Sequence, residues 1–325
     1  MSGHVIAFCG GVGGAKLAAG LARVLPSEDL TIVVNTGDDF VHLGLHISPD
    51  IDTVVYTLAG LSDRERGWGL ARETWNFMAS LRQLGAEAWF QLGDQDLAMH
   101  VERTRRLASG ETLSEVTAAL SAALGLQAAI TPMSDDPVRT IVRTAAGDLA
   151  FQQYFVAEQC RPIAEGVRFA GAAEASPSPG LRAALGRSDL AAVIICPSNP
   201  YLSIDPILAV PGVRAALKAV DAPIVAVSPI VGGRALKGPA AKLMTELGVT
   251  PGVAAVAEHY AGVLDGLVID RADADAAPVL RGMGLQALAT DAVMVSDDDR
   301  ARLAGEVLAF ALSLEGGSRL HRRAS

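Results

Sequence analysis

The chain has 325 residues, half of them hydrophobic, and a formal charge of −9 from 27 basic and 36 acidic side chains. That length buries a sizeable core, and the acidic balance argues against nucleic acid as the main partner, so an anionic ligand has to be met by local donors or a metal ion. Its apolar runs are alanine-rich and broken by charge or proline, which excludes an uninterrupted membrane-spanning helix.

Val5 to Cys9 is short, apolar and bounded by glycine, the pattern of a strand buried on both faces. Gly10, Gly11, Gly13 and Gly14 then let the backbone turn sharply and approach a ligand without Cβ atoms in the way, and Lys16 is expected to open a helix. Such a turn gathers backbone N–H groups and the helix dipole on an anion, usually a phosphate. Neither familiar fingerprint fits. The dinucleotide pattern from Gly11 needs glycine where Lys16 stands, and the P-loop needs glycine and a hydroxyl where Ala15 and Leu17 flank it.

A second strand, Leu30 to Asn35, runs into Thr36-Gly37-Asp38-Asp39-Phe40. In an open parallel sheet the loops after strands share one edge, so these acids should sit beside the glycine turn. Carboxylates next to a phosphate cradle repel the ligand unless a divalent cation stands between them, and Mg²⁺ is the first expectation. Solvated turn acids are the plain alternative. His42 and His46, four residues apart, lack a third ligand for a metal. Ser48 is expected to cap a helix that begins Pro49-Asp50-Ile51-Asp52, where the macrodipole alone accounts for both acids.

A helix is expected from about Arg72 to Leu84, a strand at Trp89 to Leu92, and then an acidic turn, Gly93-Asp94-Gln95-Asp96, ahead of a helix carrying His100 and Arg103. Thr112 and Glu115 form a capping box for the next helix. Val138 to Thr144 and Leu149 to Val156 flank a hairpin signal, and Gly166 to Gly171 adds a strand. Alternation of strand and helix then returns, with strands at Ala191 to Cys196, Ile224 to Ser228 and Leu267 to Asp270, and a final helix from about Asp297 to Leu312. A basic tail carrying Arg319, His321, Arg322 and Arg323 follows. Cys9, Cys160 and Cys196 are odd in number and lack C-x-x-C spacing, so buried free thiols in a cytoplasmic protein without a secretory leader are expected.

The glycine turn, the Asp38 loop, Ser198-Asn199-Pro200 and Gly232-Gly233 all follow strands of parallel type and reach one crevice. With Lys16 and Lys237 nearby, that crevice suits a nucleotide diphosphate and a metal. Without a Ser-His-Asp or Cys-His set, direct transfer between bound substrates fits better than a covalent enzyme intermediate.

Several strings, GGVGGAKLAAGL, VVNTGDDF, SPDIDTVVYTL, RGWGLARETW, FQLGDQDLAMH and APIVAVSPIVGG with PSNP before it, resemble the 2-phospho-L-lactate transferases of coenzyme F-420 biosynthesis, the CofD-like family. The resemblance implies an α/β fold with a Rossmann-like, mostly parallel sheet flanked by helices. It places the core at 1–48 and 180–312, an inserted helical and β-hairpin subdomain on the acceptor side at about 49–175, and the tail at 313–325. It implies Mg²⁺ and transfer of a phosphorylated three-carbon acid from a guanosine diphosphate ester to the terminal ribityl hydroxyl of the deazaflavin Fo, with GMP leaving.

Carried onto this chain, the resemblance puts the nucleotide on Gly10, Gly11, Gly13, Gly14, Ser198, Asn199, Pro200, Gly232 and Gly233. It gives Asp38 and Asp39 the metal and the reacting phosphate. Asp50, Asp94, Gln95, Asp96 and His100 take the acceptor side, and Asp38, Asp39, Asp50 and Lys16 the chemistry. Which of the three acids is the base stays open, as does the choice among lactate, enolpyruvate and glycerate. Gln95 stands where the family usually has arginine, removing a fixed charge. The rival reading is a nucleotide-sugar sensor of the same fold; its usual G-G-G-T-G turn is absent. A nicotinamide oxidoreductase is disfavoured by the failed fingerprint. A homodimer is the default expectation.

Overall fold

The computed structural model of the chain describes residues 3–236 and 238–314. Lys237 and the expected basic tail beyond Leu314 lie outside them. β1 (His4–Cys9) leads into α1 (Gly11–Val24), then β2 (Leu30–Val34), a short hairpin of β3 (Phe40–His42) and β4 (Leu45–Ile47), and α2 (Pro49–Leu58). A helical stretch follows: α3 (Asn76–Gln83), α4 (Asp96–Ala108) and α5 (Leu113–Ala123). β5 (Ala129–Pro132) precedes an antiparallel trio of β6 (Arg139–Thr144), β7 (Gly147–Ala150) and β8 (Gly166–Ala170).

The second half alternates more regularly, with α6 (Pro179–Leu185), β9 (Leu190–Ile195), α7 (Asp205–Ala209), α8 (Val213–Ala219) and β10 (Ile224–Val227). A two-residue hairpin pairs β11 (Ile230–Val231) with β12 (Arg234–Ala235). Then come α9 (Ala240–Glu246), α10 (Val253–His259), β13 (Gly266–Asp270), α11 (Ala277–Gly282), β14 (Gln286–Thr290) and α12 (Asp297–Ser313).

Seven of these strands form one parallel sheet in the order β14-β13-β10-β9-β1-β2-β5, the α/β Rossmann-like architecture expected from the sequence. Period-two alternation divides the core between its faces. Ile6, Phe8, Val193, Ile195, Leu267 and Ile269 pack on one side, beneath α6 to α8, α10 and α11. Val5, Ala7, Cys9, Ile194 and Val268 pack on the other, beneath α1, α2 and α12. A Cβ on Gly20 would stand 2.1 Å from the carbonyl oxygen of Arg300, so this glycine is what lets α12 lie against α1.

The chain leaves β1 toward β2 on one side and returns to β9 on the other, so the sheet's switch point lies at the carboxyl ends of β1, β2 and β9. That edge is where the glycine turn, the Asp38 loop and Ser198 meet.

Three expectations are corrected. Trp89 to Leu92 is not a strand: Trp89 and Phe90 join a ring cluster with Phe40 and His42, while Leu92 packs on Met78. The segment 49–175 is not wholly an insertion, because β5 within it pairs with β2 as the edge of the central sheet. Leu149 to Val156 is strand only as far as Ala150, after which the chain winds into a wide helical turn and buries Tyr154. The capping box of Thr112 and Glu115 is present, with both reciprocal bonds made.

Candidate active site

α1 begins earlier than Lys16, at Gly11, with Gly10 as its extended N-cap, so most of the glycine turn is the helix's own first turn. These glycines serve the chain's close approach to itself. A Cβ on Gly10 would fall 2.4 Å from Asp50 Oδ2, and one on Gly14 would fall 2.4 Å from Ser198 Oγ. Only Gly11, at φ +65°, faces open space among the four. The expectation that all four clear room for a ligand therefore narrows to Gly11. Ser198 locks the turn from the other side, accepting from Gly10 N at 3.1 Å and donating to Gly10 O at 2.9 Å. Asn199 accepts from Tyr201 N and Leu202 N, starting the wide turn Pro200–Ile204 that follows β9.

Three acids converge beside this turn. Asp50, in the first turn of α2, accepts from Gly11 N at 2.7 Å and from Asn35 Nδ2 at 2.9 Å. Asn35 also accepts from Gly37 N at 2.8 Å, tying the loop after β2 to α2. Asp39 Oδ2 accepts from Ser48 Oγ at 2.8 Å and lies 3.2 Å from His46 Nε2. Ser48 is therefore not the side-chain cap of α2 that its position suggests; its hydroxyl is given to Asp39.

The Oδ1 atoms of Asp38 and Asp39 are buried and have no hydrogen-bond partner among the described residues. Burial, with Asp50 and Asp39 adding repulsion, pushes the Asp38 carboxyl well above the ordinary carboxylate range. Burial likewise raises Asp50 to about 6, against the opposing pull of its bonds from Asn35 and Gly11. Acids have thus been brought together at a buried strand end, with two carboxylate oxygens that no described residue bonds.

The remaining expected residues have other partners. Asp94 starts α3, accepting from Thr74, Asn76 and the N–H of Phe77. Gln95 is exposed and donates to Arg72 O. Asp96 and His100 belong to a buried network beneath α2. Tyr56 donates to Asp96 at 2.5 Å, His100 Nε2 lies 3.2 Å from Asp96, and Arg103 pairs with Asp52 through its two terminal guanidinium nitrogens, Nη1 and Nη2. The macrodipole is thus not what accounts for Asp52. Gly232 and Gly233, at φ +56° and +73°, form the two-residue turn of the β11–β12 hairpin. Lys16 donates to Met294 O at 2.8 Å and lines a cavity between α1 and α2. Among the described residues no three His, Cys, Asp or Glu side chains form a ready metal-binding group.

Asn35 entered the sequence reading only as the end of a strand, and Ser48 only as a cap. Their signal was present: a polar residue ending an otherwise apolar buried strand has to be paid for by a partner.

A family model described as 2-phospho-L-lactate transferase CofD matches residues 5–305. The chain belongs to the CofD family. The phosphoenolpyruvate transferase of Streptomyces coelicolor is 41% identical over 314 residues, spanning 95% of this chain and 98% of that protein. The 2-phospho-L-lactate transferase of Methanosarcina mazei is 40% identical over 300 residues, spanning 92% and 98%. A solved structure of a UPF0052-family protein from Bacillus halodurans superposes with a TM-score of 0.62 at 17% identity, over 94% of this chain and 99% of that one, a likeness of fold alone. As a CofD-family member the protein is a transferase of the phospholactyl or phosphoenolpyruvyl type. Among the described residues no helix is long and apolar enough to cross a membrane.

Proposed function

We propose that the protein moves a phosphorylated three-carbon acid from a guanosine diphosphate ester to the terminal ribityl hydroxyl of the deazaflavin Fo, in coenzyme F-420 biosynthesis. The observation that carries this reading is the trio Asp38, Asp39 and Asp50 at the N-terminus of α1, with two buried carboxylate oxygens unpartnered. Those two oxygens fit a hard divalent cation such as Mg²⁺, which binds through one or two carboxylates and completes its shell with substrate phosphates and water. When bound, the ion neutralises charge on the diphosphate and on these acids.

The chain's own residues supply the rest. The first turn of α1 offers its dipole to the diphosphate, and Ser198 keeps that turn in place. The ribityl oxygen attacks the phosphorus that carries the acid, the bond to the GMP oxygen breaks, and GMP departs. Asp50, oriented by Gly11 N and Asn35, accepts the proton of the attacking hydroxyl. Asn35 and Ser48 hold Asp50 and Asp39 in position. Lys16 is assigned to the neighbouring cavity rather than to the acids themselves. Three free cysteines support action in the cytoplasm.

The test is purified protein with Mg²⁺ and Fo, given the lactyl, enolpyruvyl and glyceryl donors in turn, with the product read by mass. One donor is expected to yield the Fo phosphodiester; no product from any of the three contradicts the reading. A fluorescence titration with Fo separates the sensor alternative, which has no reason to bind it.

A further inference from the structure

Between α1, α2 and the start of α12 lies a cavity of about 50 Å³, lined in part by Lys16, Thr53, Tyr56, Ser62, Arg64 and Arg300. Its chemistry is cationic in a chain whose formal charge is −9. Arg300 is 6% exposed, and its Nε–H is buried without a hydrogen-bond partner. One carboxylate, Asp297, is shared by three guanidinium groups, at 3.1 Å from Arg300, 2.8 Å from Arg64 and 3.5 Å from Arg23.

The acid on the lining, Asp63, is taken by Arg66 at 2.8 Å, and Asp299 is occupied in the capping box of α12. Three guanidinium groups thus share the one carboxylate of Asp297, which leaves the arginine side of the cavity net positive. Burial pushes the Arg300 guanidinium below its ordinary pKa, and the nearby Arg64 and Arg23 add to that push while Asp297 resists it.

Size and place narrow the ligand. The volume holds a few waters or one small oxyanion, whereas a nucleobase or a fused ring system needs a pocket several times larger. Thr53 stands one helical turn from Asp50 on α2, and Val12, also on the lining, follows Gly11. The cavity therefore adjoins the acid cluster.

We propose that this cavity binds a small oxyanion, and that its occupant during transfer is the carboxylate of the three-carbon acid on the donor. The occupant rests on the donor reading given above; the oxyanion site stands on the cavity's own residues. Arginine and lysine donors around a carboxylate make charge-assisted bonds, so the acid is anchored by its far end while its phosphate lies at the acids.

Ligand-observed NMR titrations decide it, with pyruvate, inorganic phosphate and GDP each added alone to the wild type, Arg64→Ala and Arg300→Met. Arg64 has a largely exposed side chain, so its replacement leaves the fold in place should Arg300→Met disturb α12. Pyruvate is expected to bind the wild type and to weaken at least tenfold in both variants, with GDP affinity changed less than twofold. Pyruvate binding unaltered in Arg64→Ala and in folded Arg300→Met overturns the site. Phosphate binding that depends on both arginines, with no pyruvate binding, overturns the carboxylate as occupant. Failure of the wild type to bind GDP counts against the donor reading, while the pyruvate result still decides the cavity.

Discussion

Asp50 and Asp52 stand two residues apart on α2, both buried, and they lead opposite lives. Asp52 points into a network in which Arg103, His100, Asp96 and Tyr56 compensate one another. Asp50 points to the sheet edge, where its neighbours Asp38 and Asp39 are acids as well. Burial works to raise Asp96, yet its bonds with His100 and Tyr56 outweigh it and hold the carboxyl below the ordinary range. At the edge burial wins, and it wins at Asp52 too, whose carboxyl stays above the ordinary range against the pull of Arg103 and His100; what separates Asp50 from Asp52 is the charge of its neighbours. A buried acid with a counter-charge is costly to strip of its partner, whereas one among like charges carries its cost already, a pattern that clusters at functional sites.

The sharpest way to break this contrast is to remove charge from each side. Asp38→Asn and Asp39→Asn are expected to lower transfer by roughly 10²- to 10⁴-fold, measured as Fo product formed. The melting temperature of Asp38→Asn should hold or rise, because an uncompensated buried charge has gone. On the other side, Arg103→Met leaves Asp52 buried without its guanidinium partner, with only the more distant His100 beside it, and is expected to cost about 3–5 kcal/mol in urea denaturation. Adding Asp52→Asn to it should recover much of that loss; two independent, additive costs would show that the pair is not coupled.

Acid titration sharpens the same contrast. Asp50 is raised in the folded chain to about 6 from an ordinary 3.8, so between those values the folded state holds the proton more tightly than the unfolded state. Its contribution therefore falls as pH rises through that window and is level above it. Asp96, held low, works the other way and loses its contribution as pH falls below the ordinary carboxylate value. Thermal melts from pH 4 to 7 in metal-free buffer should show a less negative slope for Asp50→Asn than for the wild type; identical slopes would contradict the assignment. The smallest effect is a control: Thr112→Ala removes the cap of α5 and should cost about 1 kcal/mol, with transfer unchanged.

Much of the fold was legible because the signals were local. Short apolar runs marked β1, β2, β9, β10 and β13, and the Thr112 capping box marked α5. β5 and β14 were missed, since Ala129–Pro132 and Gln286–Thr290 are short edge strands with weak patterning. Trp89 to Leu92 looked like a strand because aromatic residues favour strands, but here tertiary ring packing decided the outcome.

The site was legible where strand ends predict it, at Asp38, Asp39 and Ser198. It was illegible where partners come from distant sequence. Nothing local says that Asp52 meets Arg103 or that Gly14 is held against Ser198. The acidic turn at Asp94 was read as one functional unit, yet its side chains divide among a helix start, the surface and the buried network.

In the proposed reaction Asp38 and Asp39 hold a divalent cation beside the diphosphate. Mn²⁺ titrated into the protein with GDP and followed by electron paramagnetic resonance tests it most directly. One ion per chain is predicted for the wild type, with affinity lowered at least tenfold in Asp38→Asn and in Asp39→Asn. Equal Mn²⁺ affinity in all three proteins would contradict the account.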